Sequence, residues 1–214
     1  SSTNTAQTNN APLYSVFKAI DSVRDNEQVI ANTISIPGVW ADRVADKLIS
    51  TAEARQDVLA IVDLDGDYIP KVEAPLTTNI SRRGTVNDAV SNLKSRNIDS
   101  SFACTFYPWI QITDNLGGSE LVWIPPSIAA LGAMARSDSL ADVWFAPAGF
   151  NRGGLGSLGG PSGPTVVQAR QRLDSKDRDD LYAVGINPIA SFPNEGLVVF
   201  GQKTLQQRAS ALDR

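Results

Sequence analysis

Histidine is absent from all 214 residues, and this absence excludes more chemistry than any other feature of the composition. Histidine is the usual general base near neutral pH and a common transition-metal ligand, so Ser-His and Cys-His nucleophile pairs cannot be built. The only cysteine, Cys104, excludes a disulfide within the chain. Because Cys104 lies in an apolar run, we expect it to be a small buried core residue.

A surplus of positive charge is also missing, since 19 Lys and Arg residues face 23 Asp and Glu residues, for a net charge of −4. Such a chain is poorly suited to neutralise phosphates, so we expect no nucleic-acid partner and no membrane insertion. No apolar run reaches the roughly 18 residues of a membrane span. The hydrophobic fraction of 42% and the charged fraction of 20% are typical of a folded domain.

The order of apolar and polar segments predicts one folded unit. Residues 1–10 are polar, and we expect a disordered tail there, followed by a single α/β domain over 11–214. Apolar residues at helical spacing predict helices over 12–25, 40–55, 85–96, 127–136 and 166–183. Short apolar runs predict strands at 33–36, 58–62, 102–107, 121–124, 189–192 and 197–200. This alternation predicts a layered sheet flanked by helices.

The run V-L-A-I-V-D-L-D-G-D at 58–67 is the first segment that could carry chemistry. A buried strand leading into D-x-D-G resembles the first motif of haloacid-dehalogenase-type phosphotransferases. In that chemistry Asp63 would be the nucleophile and Asp65 the general acid, with Mg²⁺ screening the phosphate. The sequence departs from the motif at Asp67, where the family has Thr or Val. The competing interpretation is a strand that ends in a turn at Asp65-Gly66, and we favour it.

Residues 149–163 form the second such segment and hold seven of the sixteen glycines. Gly154, Gly156 and Gly159 satisfy G-x-G-x-x-G, but a dinucleotide fingerprint must open a helix, which Pro161 and Pro164 prevent here. We therefore expect a long mobile glycine-rich loop and no cofactor. Loops of this length are uncommon unless they bind something or become ordered in an assembly.

Surface charge suggests contacts between identical chains. The charged run contains Arg170, Arg172, Lys176 and Arg178 among four aspartates. A solvated helix face with i,i+4 pairs explains this run, and complementary charge between subunits is the alternative. At the start of the glycine-rich loop, Asn151 and Arg152 are further candidates for inter-subunit contacts.

Tryptophan marks the edges of three apolar runs. Trp109, Trp123 and Trp144 each lie at such an edge. We expect them to be core or interface anchors rather than a cofactor stack.

Several segments together resemble a known family. They occur in the family's order and are T-I-S-I-P-G at 33–38, S-F-A-C-T-F-Y-P-W at 101–109, W-I-P-P-S at 123–127, V-W-F-A-P-A at 143–148, L-Y-A-V-G-I-N-P at 181–188 and V-F-G-Q-K-T-L at 199–205. From about Thr33 to Arg214 the sequence closely resembles the tail sheath proteins of contractile bacteriophages. A bacteriocin or secretion sheath would match equally well.

The resemblance implies a structural protein of the virion, made in the host cytoplasm, with no catalytic residues. Its subunits would polymerise around a tail tube and contract during infection, and its partners would be identical subunits, tube and baseplate proteins. Sheath proteins are longer, so the resemblance also implies a fragment that lacks a C-terminal domain after Arg214. We expect this fragment to be monomeric. The alternative is a Mg²⁺-dependent phosphotransferase using Asp63 and Asp65.

Overall fold

The protein has a mixed α/β architecture, as the sequence predicts. The computed structural model describes residues 11–70, 82–113, 120–142, 144–156 and 164–208. The expected tail at 1–10 lies outside them. The helices are α1 (Ala11–Ser22), α2 (Asp42–Arg55), α3 (Val86–Arg96), α4 (Pro126–Leu140), α5 (Gly149–Arg152) and α6 (Ser175–Ala183). The strands are β1 (Thr33–Ser35), β2 (Leu59–Val62), β3 (Ala103–Tyr107), β4 (Ile110–Thr113), β5 (Leu121–Ile124), β6 (Val166–Ala169), β7 (Ile186–Phe192) and β8 (Gly196–Val199).

Five strands form the main sheet in the order β1-β2-β3-β7-β8. The first four are parallel, and β8 returns antiparallel to β7. Parallel pairing requires crossover connections, and α2 and α3 provide them between β1, β2 and β3. The carboxyl ends of β2 and β3 therefore lie at the same edge of the sheet.

The two faces of the main sheet carry separate apolar clusters. Alternate residues of β2 divide between them, with Ala60 and Val62 in one cluster and Ile61 in the other. The first cluster is completed by α1, α2, α3 and Leu181 of α6. The second packs against α4 and against Ile110 and Ile124 of a smaller sheet. Burial on both faces explains why β2 and β3 are continuous apolar runs.

A second sheet contains three antiparallel strands in the order β5-β4-β6. Its central strand, β4, and its edge strand, β6, were not predicted from the sequence. The single helix predicted over 166–183 is wrong in its first half, because 166–169 pairs with β4 and α6 begins only at Ser175. Val166 and Val167 are β-branched, and the capping box of Asp174 and Asp177 fixes the later helix start.

The glycine-rich segment is also more ordered at its start than the sequence predicts. Residues 149–152 form the short helix α5, and the following residues pair with β8. Leu155 N donates to Leu197 O, and Val199 N donates to Gly153 O, each at 2.8 Å. Residues 149–155 are therefore a short helix followed by a paired segment rather than irregular loop, and their mobility stays a prediction. Residues 157–163 lie outside the described part of the chain. No helix within the described ranges is long and apolar enough to span a membrane.

Candidate functional site

Asp63, proposed from the sequence as a nucleophile, is a buried residue that directly follows β2, with an exposed fraction of 2%. Its Oδ2 accepts hydrogen bonds from Gly38 N at 2.7 Å and Ser127 Oγ at 2.8 Å. Its Oδ1 accepts from Ser127 N at 3.1 Å. Burial raises the pKa of Asp63, and these hydrogen bonds oppose that shift.

The Asp63 carboxylate also caps the N-terminus of α4. The residue before this helix is Pro125, which provides no side-chain cap. Ser127 lies in the first helical turn, where backbone N–H groups lack intrahelical partners and favour a negative charge. Asp63 therefore caps α4 from a distant strand and fixes the helix against the carboxyl end of β2.

Asp65, proposed as the general acid, is in a different environment. It is exposed, and its Oδ1 accepts from Gly66 N at 2.7 Å. Gly66 has a φ of 91°, which confirms the turn predicted at Asp65-Gly66. The two carboxylates thus do not form an open pair, because one is buried with both oxygens occupied. Within the described ranges, no three acidic or cysteine side chains are placed together to hold a metal ion.

A second buried carboxylate, Asp67, was not recognised from the sequence as important. Its Oδ1 lies 2.6 Å from Arg170 Nε, and its Oδ2 accepts from Trp109 N at 2.7 Å. The two side chains of the ion pair are only 3% and 5% exposed. Burial raises the pKa of Asp67 to about 6, although Arg170 acts in the opposite direction. The sequence marked Asp67 only as a departure from the phosphotransferase motif, and that departure is the one signal that could have drawn attention to this position.

Arg170 extends this network to both sheets. Its guanidinium donates to Tyr107 Oη and to Gln171 Oε1, and its backbone N donates to Trp109 O. Burial raises the pKa of Tyr107 well above its usual range. Because Asp67 follows β2, Tyr107 ends β3 and Arg170 follows β6, the network joins the main sheet to the second sheet. Arg170 is thus paired inside the fold. Its assignment as an inter-subunit contact stays a prediction.

The other predicted contact residues remain near the surface. Arg172 is exposed, and exposed Lys176 forms an i,i+4 pair with Asp180 at 2.7 Å. The Arg178 guanidinium lies 5.2 Å from the centre of the Phe192 ring. In α5, Asn151 is exposed, and the Arg152 guanidinium lies 4.3 Å from the centre of the Phe145 ring.

Three phenylalanines from separate segments form a surface cluster that the sequence did not reveal. Phe150, Phe192 and Phe200 have ring centres 4.9 to 5.6 Å apart. Phe150 is 49% exposed and Phe200 is 40% exposed. We call these three residues the aromatic cluster. Each ring stands alone in the sequence, so only the pairing of β7 with β8 and the position of α5 bring them together.

The tryptophans differ in environment. Trp109 is buried in the core, and Tyr68 packs between Trp109 and Trp123 with ring centres 5.5 and 5.4 Å away. Trp144, in contrast, is 75% exposed. Cys104 is buried as predicted, and burial raises the pKa of its thiol to about 12.

Comparison with known proteins identifies the family. No family model matches the chain. The tail sheath protein of Vibrio phage KVP40 is 38% identical over 92 residues, covering 43% of this chain and 12% of that protein. The tail sheath protein of Salmonella phage ViI is 31% identical over 159 residues, covering 72% of this chain and 24% of that protein.

The chain belongs to the tail sheath family of contractile bacteriophages. The resemblance inferred from the sequence segments is thereby confirmed. This sheath chain spans at most a quarter of the length of the curated relatives it matches.

Solved structures show the same fold for this sheath chain. The contracted helical sheath of the anti-feeding prophage covers 97% of the chain with a TM-score of 0.55 and 21% identity. The contracted sheath complex of the extracellular contractile injection system PVC covers 89% with a TM-score of 0.55 and 20% identity. These matches extend over 46% and 45% of the neighbouring chains.

Proposed function

We propose that this chain is the structural core of a sheath subunit that polymerises around a tail tube and contracts during infection to drive the tube through the host envelope. The observation that carries the proposal is the 31% identity with a phage tail sheath protein over 72% of the chain. A single core domain over 11–214 with a short tail at 1–10 is part of the same proposal. The subunit would be located in the virion tail after synthesis in the host cytoplasm.

A structural role agrees with how the chain uses its buried carboxylates. Asp63 caps α4, and Asp67 pairs with Arg170 between the sheets, so both act inside the fold. A phosphotransferase would need Asp63 accessible beside Asp65, and Asp63 would first have to give up its contacts with Gly38 and Ser127. We therefore favour a non-enzymatic subunit.

The partners follow from this role. We propose contacts with identical subunits and with tube and baseplate proteins. Asn151, Arg152, Arg172, Lys176 and Arg178 are the side chains we assign to contacts between subunits. These residues are exposed or half-buried, so a neighbour reaches them without unfolding the core.

Alone, the 214-residue chain is expected to be monomeric, because its surface charge is mixed in sign and its net charge is −4. Light scattering at increasing protein concentration measures this directly. A constant mass of one chain agrees with the proposal. Long polymers formed by this chain without further sequence would contradict it.

Electron microscopy of the protein at its full encoded length tests the proposed function. We expect hollow tubes of uniform diameter. A phosphate-ester hydrolysis assay with Mg²⁺ is the companion measurement, with the Asp63→Asn, Asp65→Asn double variant as its control. Hydrolysis by the wild type that the double variant loses, together with an absence of tubes, would favour the phosphotransferase alternative.

A further inference from the structure

The aromatic cluster is an exposed apolar surface with a cation at its edge. Phe150 and Phe200 are each at least 40% exposed to solvent. Exposed apolar patches of this kind often mark protein interaction sites. Arg178 lies over the Phe192 ring. Among the residues that the structure describes, its guanidinium donates one hydrogen bond, to Leu173 O at 3.2 Å, and a guanidinium has further N–H groups to donate. A fitting partner is therefore an apolar side chain accompanied by a carboxylate.

The chain carries such a group in the turn before β1. Ile30 is 94% exposed, and the carboxylates of Asp25 and Glu27 are exposed beside it in sequence. We call residues 25–30 the Ile30 turn. Asp25 stabilises the turn itself, since its Oδ1 accepts from Glu27 N at 2.9 Å and its backbone O accepts from Val29 N at 3.1 Å.

Buried Arg55 holds the Ile30 turn in place. Its guanidinium donates to Val23 O and, at 2.9 Å, to Val29 O, while its side chain is only 1% exposed. Ile30 is therefore an almost fully exposed apolar side chain, and the backbone beside it is hydrogen-bonded to Arg55 of α2. A fixed contact group loses less conformational freedom on binding than a flexible one.

The two surfaces lie at opposite edges of the main sheet. The Ile30 turn leads into β1 at one edge, whereas Phe192 ends β7 and Phe200 follows β8 at the other. A contact between unlike surfaces at opposite edges is heterologous, so it can be repeated from one copy to the next. A helical or ring-shaped assembly requires contacts of this type.

We propose that the aromatic cluster of one subunit receives Ile30 of a second copy, with Glu27 of that copy paired with Arg178. This inference rests on the proposed sheath function and names two surfaces that meet in the assembly. The contact is small, so it would not hold two isolated chains together. In a lattice, it would be reinforced by the other contacts of each subunit.

The test uses the protein at its full encoded length and measures the lowest concentration at which tubes form. Ile30→Asp removes the apolar contact at a position whose exposure spares the fold, and Phe150→Ser removes it from the other surface. Each is expected to raise this concentration about tenfold. Tyr14→Asp is the matched control, because Tyr14 is 57% exposed and belongs to neither surface. The melting temperature of the unassembled subunit should stay unchanged in Ile30→Asp.

A charge exchange tests the pairing of Glu27 with Arg178. Glu27→Arg and Arg178→Glu should each weaken tube formation, and the double variant should restore it. Tubes of Ile30→Asp at the wild-type concentration would overturn the inference while leaving the sheath function intact. A double variant no better than the worse single variant would overturn the ion pair. Failure of the wild type to form tubes would instead overturn the proposed function.

Discussion

Asp63, Asp65 and Asp67 alternate along one short segment, yet the fold gives them different environments. Asp63 and Asp67 are buried and bound to distant groups, whereas Asp65 is exposed and accepts a hydrogen bond from the backbone of its neighbour Gly66. Side chains two residues apart share a face only while the chain stays extended. The chain leaves β2 and turns at Asp65-Gly66, so the three carboxylates no longer point the same way. A short acidic motif therefore does not by itself establish a catalytic pair.

Asp63 should contribute more to stability than Asp65. Replacing Asp63 with Asn leaves three buried donors with a poorer acceptor, and we expect the free energy of unfolding to fall by about 1–3 kcal/mol. Asp65→Asn is the control and should change it by less than about 0.5 kcal/mol. Urea denaturation of both variants measures the difference. An equal fall in the free energy of unfolding for both variants would show that the buried contacts of Asp63 add no stability beyond those of Asp65.

Asp67 should make stability depend on pH. Its pKa is about 6 in the folded protein, above the ordinary value of 3.8, so the folded chain holds a proton that the unfolded chain releases. Stability from this group is therefore fully present below about pH 4 and is lost as the pH rises through about 6. Denaturation curves of wild type and Asp67→Asn between these limits measure it. The free energy of unfolding should fall less with rising pH in Asp67→Asn than in the wild type. An equal fall in both proteins would refute the raised pKa of Asp67.

At the scale of elements, apolar periodicity predicted most of the main sheet and its helices. The helix predicted from residue 85 begins with a capping box formed by Thr85 and Asp88, at the start of α3. Local signals of this type act within a few residues, so the sequence contains them directly. By contrast, β6 depends on pairing with β4, more than fifty residues away, and the charged residues after it suggested a helix.

The candidate surfaces were less predictable than the elements. Arg170 appeared in the sequence as one cation of a mixed run, and only the fold shows that it reaches Asp67, 103 residues away. The aromatic cluster similarly depends on contacts among three separate segments. Tertiary position, rather than residue type, decides which charges are internal and which are available to a neighbour.

The short pairing of 153–155 with β8 covers an edge strand, and Gly153 permits it. A Cβ at Gly153 would lie 2.5 Å from Val199 O. We expect Gly153→Ala to detach this segment and to speed amide exchange at Leu155 and Val199 by about tenfold or more. Gly156→Ala is the control, because a Cβ there meets nothing within 4 Å. Slow exchange preserved in Gly153→Ala would mean that the pairing tolerates a side chain.

At the scale of the whole molecule, the chain combines a buried apolar core with an exposed apolar surface near α5. Trp144, Phe145, Phe150 and Phe200 are all exposed. A protein that acts alone gains little from such a surface, whereas an assembling subunit uses it for contacts. The buried Asp67–Arg170 pair joins the two sheets, and under the proposed function it would keep these surfaces in constant relation as subunits move against each other.

Helical reconstruction by electron microscopy of tubes formed at full encoded length tests the central claim most directly. We expect one copy of the fold at each lattice position, with the main sheet intact and both edges of the sheet facing neighbouring subunits. Extended and contracted tubes should differ in the arrangement of subunits, with the Asp67–Arg170 pair preserved in both. A protein that remains monomeric at full length, or tubes whose density does not contain this fold, would contradict the account.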